Sequence, residues 1–437
     1  ITLINCLTSG QGARYSKNGP TGYHAEIFPH HVATGPFHLD PEASSITAIH
    51  FTTTDLQSLF YDFEAFGNVL DAHQIIDSVL ADRRKIRPVE TGKDPLVLYY
   101  TGKQCVIEAI SPAGKISVNH WPSYSLGGPA GVYIKNRMLV SLEPAGPATL
   151  LEILQAMYDI GCFLSMAAGR AQGIKRIQIE TLHSMGNQEM LSIYPCFPWK
   201  TGGKGKYYNP HPADVPLDPI SEPEEFRAVI SNWIKRNASW GAARSRYLGC
   251  LRKGGKYDFD RLIAAANMFD ILPPDAVPAE SQLSPELVEA KQGCRLILRK
   301  IPQGIDRNSA LNALGRMGKP SLPKKVLYRT AIVQGRFGEK LPELAFVAGI
   351  AVKLRNYFVH GSLDGLEYEK VSHFLAFLTD ALEFIFAASD LIEAGWNAQH
   401  WSTRQFGSGH SFCRFLNEYP YQFSQFKSTV MQDESME

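Results

Sequence analysis

No two cysteines in this chain are spaced C-x-x-C. The seven present (Cys6, Cys105, Cys162, Cys196, Cys250, Cys294 and Cys413) are odd in number and widely scattered. That argues against a disulfide framework and fits a reducing cytoplasm, where most thiols serve as small core hydrophobes. Long apolar runs are missing too. The most apolar segments, 148–168, 341–359 and 371–394, are interrupted by Glu, Asp, Lys or Arg, so no membrane partner is expected. The chain opens on Ile1 rather than Met, so its natural start is expected upstream, and what is present has no basic stretch leading into an apolar signal segment. There is no charge excess, the formal net charge being +1, and no internal repeat.

Several familiar active-site signatures are absent or incomplete. His24-Ala25-Glu26 has the H-x-E of a zinc deaminase and Pro195-Cys196 opens its P-C-x-x-C, but Trp199 stands where the second cysteine belongs. His30 and His31 are adjacent, which on a strand points their rings apart. The loop around GGKGKYY has Lys200 where a phosphate loop needs its first glycine and Tyr207 where it needs Ser or Thr. Neither G-x-S-x-G nor G-x-G-x-x-G occurs.

What is present is an ordinary globular composition, 44% hydrophobic and 20% charged in 437 residues, enough for two or three domains. The first half reads as strands. Residues 103–110 and 115–121 flank Ser111-Pro112-Ala113-Gly114, a hairpin turn; 132–144, 174–180 and 190–197 are further strands, with one amphipathic helix at 149–169. A stretch rich in Gly, Pro and charge, 201–225, marks a boundary. Beyond it FRAVISNWIKR, DRLIAAANMFDILP, PELVEAKQGCRLILRKI, KLPELAFVAGIAVKLRNYFVH and a long segment over 366–394 read as helices. The expectation is an α+β chain: a β-rich domain over 1–221, an all-α bundle over 222–400, and an aromatic, finally acidic tail over 401–437.

Charge is distributed unevenly. Phe226 to Lys256 carries eight Lys or Arg and no acid, and Arg295 to Arg329 carries nine against Asp306 alone. Such segments either neutralise phosphates or are solvated helix faces balanced by acids elsewhere.

An arginine followed closely by a histidine occurs three times, as Arg176/His183, Arg404/His410 and Arg355/His360. Only the last is expected on a packed helix, the others falling in a strand and in a Gly/Ser-rich tail. In LRNYFVHG, Asn356 and His360 are i, i+4 neighbours, so the amide can orient the imidazole, and Gly361 suits the residue that ends a helix. Five positions turn a straight helix about 140° beyond one revolution, so Arg355 and His360 do not share a face. A cation and a histidine at a helix C-terminus can also be simple caps.

LRNYFVHG resembles the R-N-x-x-x-H signature of HEPN-domain proteins, helical bundles whose catalytic members are metal-independent ribonucleases. The wider chain resembles ApeA-type abortive-infection proteins of bacteria: a β-rich half opening ITLINCLTSGQGARYSKNGPTGYHAEIF joined to a helical half with AANMFDILP and LRNYFVHG. The resemblance implies RNA as substrate (host tRNA among the candidates), a phage-derived trigger at the N-terminal domain, a homodimer or higher homo-oligomer, and neither cofactor nor metal. It makes Arg355, Asn356 and His360 the catalytic residues. His360 would act as base or acid, since an imidazole titrates near roughly 6.5; Arg355 would bind phosphate oxygens; Asn356 would orient the histidine or touch the phosphate. Asn267 and Asp270, in AANMFDILP, are further polar residues without an assigned role. The competing expectation is a catalytically silent HEPN-like RNA-binding or dimerisation module.

Overall fold

The computed structural model describes residues 1–125, 127–182, 188–197, 209–280, 282–361, 367–405 and 407–430. The chain divides into two compact units. One comprises Ile1–Asn237, Glu393–Asn397 and Arg404–Arg414; the other comprises Ala238–Ile392, Ala398–Thr403 and the chain from Phe415 onward.

The first unit begins with β1 (Thr2–Ser16) and β2 (Gly19–Thr34), a long antiparallel hairpin, then β3 (Ile46–Thr53), the short helix α1 (Leu56–Leu59), β4 (Phe66–Leu70), α2 (His73–Arg84) and β5 (Leu96–Tyr100). β6 (Cys105–Ser111) and β7 (Gly114–His120) follow, then the two-residue strands β8 (Ser123–Tyr124) and β9 (Ile134–Lys135), β10 (Met138–Glu143), α3 (Leu150–Ala168), β11 (Ile174–Leu182) and β12 (Gln188–Pro195). Eight strands form one antiparallel sheet in the order β1-β2-β12-β11-β3-β10-β7-β6, and β4-β5 and β8-β9 form two small ones. The β6–β7 turn is the expected hairpin: Ser111 pairs Gly114, and the Ser111 hydroxyl donates to the Gly114 carbonyl at 2.9 Å. The expected strand over 132–144 is broken into β9 and β10 around Asn136, whose side chain bonds His120 at 3.2 Å.

Helix α3 covers this sheet because both of its ends are specified. Thr149 and Glu152 form a reciprocal capping box, and Gly169 closes the helix at φ 65°. Its buried Ile160, Phe163 and Leu164 meet Ile107, Val118 and Val140 of the sheet with Phe226 and Ile230. α3 is the one helix among the described residues long and apolar enough to cross a membrane, and most of it is buried in the protein.

The helices that follow are α4 (Pro223–Lys253), α5 (Phe259–Asp270), α6 (Pro285–Lys300), α7 (Ile305–Arg316), α8 (Leu322–Phe337), α9 (Leu344–His360), α10 (Tyr368–Ser372), α11 (Leu375–Ala394), α12 (Ala398–Trp401) and α13 (Ser411–Val430). The chain is therefore α+β, with strands first and a helical region after them. The long helix expected over 366–394 is interrupted: Phe374 N–H bonds back to Val371 at 3.0 Å, a tightened turn, and its ring packs on Phe426 at 5.2 Å. Residues 411–430 of the aromatic tail are helical; Phe415, Tyr419, Phe423 and Phe426 recur at three and four residues and line one side of α13. The acidic end, 431–437, lies outside the described residues, as does the glycine loop with Lys200 and Tyr207.

In the second unit α11 supplies a row of polar acceptors, each met by a different helix or loop. Asp390 takes both arms of Arg244 at 2.8 and 2.9 Å, and Glu383 takes Arg261 at 2.7 and 2.8 Å. Ser389 accepts from Arg329 at 2.9 Å, and Asp380 accepts from the Tyr257 hydroxyl at 2.8 Å. Buried bidentate pairs of this kind are directional and fix which helix faces which.

Candidate active site

Helix α9 carries the arginine–histidine motif, and its burial declines along its length. Leu344, Val347, Ala348, Ala351 and Leu354 are buried, Arg355 to Phe358 are half-buried, and Val359 and His360 are exposed. The last turn is held by rings: Phe358 lies 4.3 Å from Phe259, and Tyr357 lies 5.1 Å from Tyr368. Gly361 ends the helix at φ 74°, and its N–H donates to the Tyr357 carbonyl at 2.8 Å. A Cβ at Gly361 would meet nothing within 4 Å among the described residues, and the positive backbone angle by itself favours glycine there.

Arg355 points inward, toward α5. Its side chain is only 13% exposed. One terminal nitrogen donates to Asn356 Oδ1 at 3.0 Å; the other donates to Asn267 Oδ1 at 2.8 Å and stands 3.8 Å from Asp270 Oδ2. Its Nε is buried with no hydrogen-bond partner among the described residues. Lys325, near the start of α8, donates to the Asp270 carbonyl at 2.6 Å and lies 4.0 Å from its carboxylate. Two cations therefore lie near one carboxylate, which leaves a net positive spot.

Asn356 differs from expectation. Its carbonyl oxygen accepts from Arg355, and no bond joins it to His360 among the described residues. A charged guanidinium is a strong hydrogen-bond donor, and it lies next in sequence. His360 has no hydrogen-bond partner among the described residues and stands exposed at the helix end. The helical angle thus separates the pair, with Arg355 turned to α5 and His360 outside. Asn267 and Asp270 are brought to Arg355. Lys325 had no distinguishing signal, being one cation in a run of nine.

The other histidines fare differently. His24, His30 and His31 lie on β2, and burial followed by the neighbouring His30 holds His31 below the usual imidazole range. No group of three or more His, Cys, Asp or Glu side chains placed to hold a metal occurs among the described residues. His183 and Trp199 lie outside the described residues. His410, expected on a loose tail, is instead fully buried beside Gly169 in the first unit, where burial first and Arg414 second push its pKa down to about 3. Asp214 holds that segment, accepting from the N–H groups of Gly407 and Gly409 at 2.7 Å each.

The family model for ApeA N-terminal domain 1 matches residues 1–233, more than half of the chain, and that for the Apea-like HEPN domain matches residues 263–400. The chain belongs to the ApeA family. Within this ApeA-type protein the HEPN match takes in Asn267, Asp270, Lys325, Arg355, Asn356 and His360, all of them in the second unit. No curated protein and no solved structure gives a significant match.

Proposed function

We propose that the helical half of this abortive-infection-type protein is a metal-independent endoribonuclease that cuts host RNA, tRNA first among the candidates. In this reading residues 1–221 sense a phage-derived trigger, residues 222–400 cut RNA, and the protein works in the cytoplasm as a homodimer or higher homo-oligomer. The observation that carries the reading is the Arg355 fork, held by Asn356 and Asn267 and close to a second cation, Lys325, on the helix that presents His360 to solvent.

The chemistry follows from these groups. The substrate's own 2′-hydroxyl attacks the adjacent phosphorus, the 5′-oxygen of the next nucleotide departs, and a 2′,3′-cyclic phosphate remains. Arg355 donates to the non-bridging oxygens, whose charge grows in the phosphorane. His360 takes the 2′-proton, or gives one to the departing 5′-oxygen. Because the two side chains diverge along one helix, a second copy supplying its own His360 would complete the acid–base pair. Asn356 aligns the arginine.

Mapping RNA ends in phage-challenged bacteria tests this. New cuts with 2′,3′-cyclic phosphate ends are expected with the intact protein and absent with His360→Ala. Protection by both forms with RNA left intact would overturn it. One observation favours a second reading, a silent RNA-binding or dimerisation module: two Arg355 donors are already engaged within the bundle and no side chain orients His360 among the described residues. That outcome of the mapping would select it.

A further inference from the structure

Of the two basic stretches, the first has five of its eight cations paired with carboxylates among the described residues. Arg227 pairs with Glu224, Arg236 with Glu393, Arg244 with Asp390, and Lys253 and Lys256 with Asp258. The second differs. It falls mostly on α6 and α7, which form an antiparallel hairpin in which no residue is buried. Arg307 of this stretch and Lys291, just before it, close the hairpin: Arg307 donates to the Leu298 carbonyl at 3.0 Å, and Lys291 to the Met317 carbonyl at 3.2 Å. Arg295, Arg299, Lys300, Arg316 and Lys319 remain exposed, with no carboxylate paired to them among the described residues. The helix dipole accounts for Arg299, Lys300 and Arg316, which lie in last turns, but not for Arg295.

The hairpin's roots lie at the candidate site. It leaves after α5, which ends at Asp270, and returns at α8, where Lys325 donates to the Asp270 carbonyl at 2.6 Å. Asp270 is in turn 3.8 Å from Arg355. We infer that the α6–α7 hairpin is the RNA-gripping arm of the nuclease, its free cations engaging phosphates of the strand that is cut at Arg355. This rests on the ribonuclease reading. Charge decides the occupant: the arm also exposes Leu296, Ile297 and Ile305, but a second copy docked on the same face would set one unneutralised basic surface against another. A polyanion neutralises it and gains counterion release.

The test measures bulk tRNA binding to the full chain carrying His360→Ala, with and without Arg295→Gln, Arg299→Gln and Lys300→Gln, between 50 and 200 mM KCl. Each phosphate contact contributes about 0.7–0.9 to the slope of log affinity against log salt, so three contacts make the parent's fourfold salt response roughly 20- to 40-fold larger than the triple variant's. Equal slopes overturn the arm. Equal slopes with a loss of dimer in sedimentation assign the hairpin to a second copy, which also overturns it. Cleavage by the otherwise intact protein is read separately: if it cuts no RNA the nuclease reading fails, while the difference in slope still decides whether the arm holds RNA.

Discussion

Replacing Asn267 by alanine isolates what holds the arginine. Asn267 Oδ1 accepts from Arg355 at 2.8 Å, and the arginine side chain is only 13% exposed, so water replaces that bond poorly. A hydrogen bond to a charged group contributes about 1.5–3 kcal/mol. If the whole of it serves to aim the fork at the developing phosphorane, kcat/KM falls roughly 10- to 150-fold at about 1.4 kcal/mol per decade. Because the phosphorane carries more negative charge than the bound phosphodiester, the loss should fall chiefly in kcat. Single-turnover cleavage of an end-labelled RNA, with the melting temperature recorded alongside, separates the possibilities. Asn267→Asp keeps an acceptor but adds a carboxylate beside Asp270; it should retain the melting temperature and still lose activity, since it competes with phosphate for the same donors. A kcat/KM within about twofold of the parent in Asn267→Ala, with a lowered melting temperature, would refute the reasoning and make Arg355 a structural tie between α5 and α9.

His360→Ala is expected to lower cleavage by about 10²–10⁴-fold with an unchanged melting temperature, because the ring is exposed and unpartnered among the described residues; thermal unfolding and gel-resolved cleavage check both. Chelation by EDTA should leave cleavage intact; loss restored by added Mg²⁺ would call for a different chemistry. His410 is held neutral in the folded chain with its pKa near 3, against 6.5 when unfolded, so the unfolded chain binds the extra proton between those values. Its contribution is complete above about pH 6.5 and declines at about 1.4 kcal/mol per unit below it, and His410→Asn should flatten the acid limb of denaturant-measured stability. Gly169→Ala should destabilise the first unit by well over about 1 kcal/mol, since the left-handed φ of 65° is strained for alanine and its Cβ would lie 2.7 Å from the His410 ring; a melting temperature within a degree of the parent would count against it.

The β-rich half was legible where local rules act alone. The Ser111–Gly114 turn is specified within a few residues and is found where the sequence places it, as is the Gly361 terminator in the helical half; the helix expected at 149–169 is bounded by a Thr149–Glu152 box and by Gly169, signals equally local. The missed elements lack such signals. Helix α7 alternates Asn, Ser, Ala and Leu with no buried face, so there is no period to read. In the segment over 366–394 a continuous apolar pattern concealed the break at Phe374, whose ring packs on Phe426, a residue far along the chain. Helix α13 read as tail because its aromatic face has meaning only against partners such as Phe377 and Phe384.

The site was half legible for a related reason. A motif records which groups stand on one helix but not which way they turn. The i, i+4 spacing joined Asn356 to His360, yet the amide accepts from Arg355, because charge outweighs spacing once a guanidinium is folded back against the bundle. What folds it back is Asn267, on a helix separated from α9 by the basic hairpin and α8. For the basic run from Phe226 to Lys256 the sequence left two readings open, because partners lie in other elements: Arg244 meets Asp390, Arg236 meets Glu393, and Arg227 reaches the Glu108 carbonyl as well as Glu224 in its own helix. A cation that meets a carboxylate across the fold serves the scaffold; one that meets none is left for an external anion. By that criterion Arg244 is architecture, Arg295 is the recognition residue proposed above, and Arg355 stands between them, tied on two donors within the bundle and 3.8 Å from a carboxylate that it shares with Lys325.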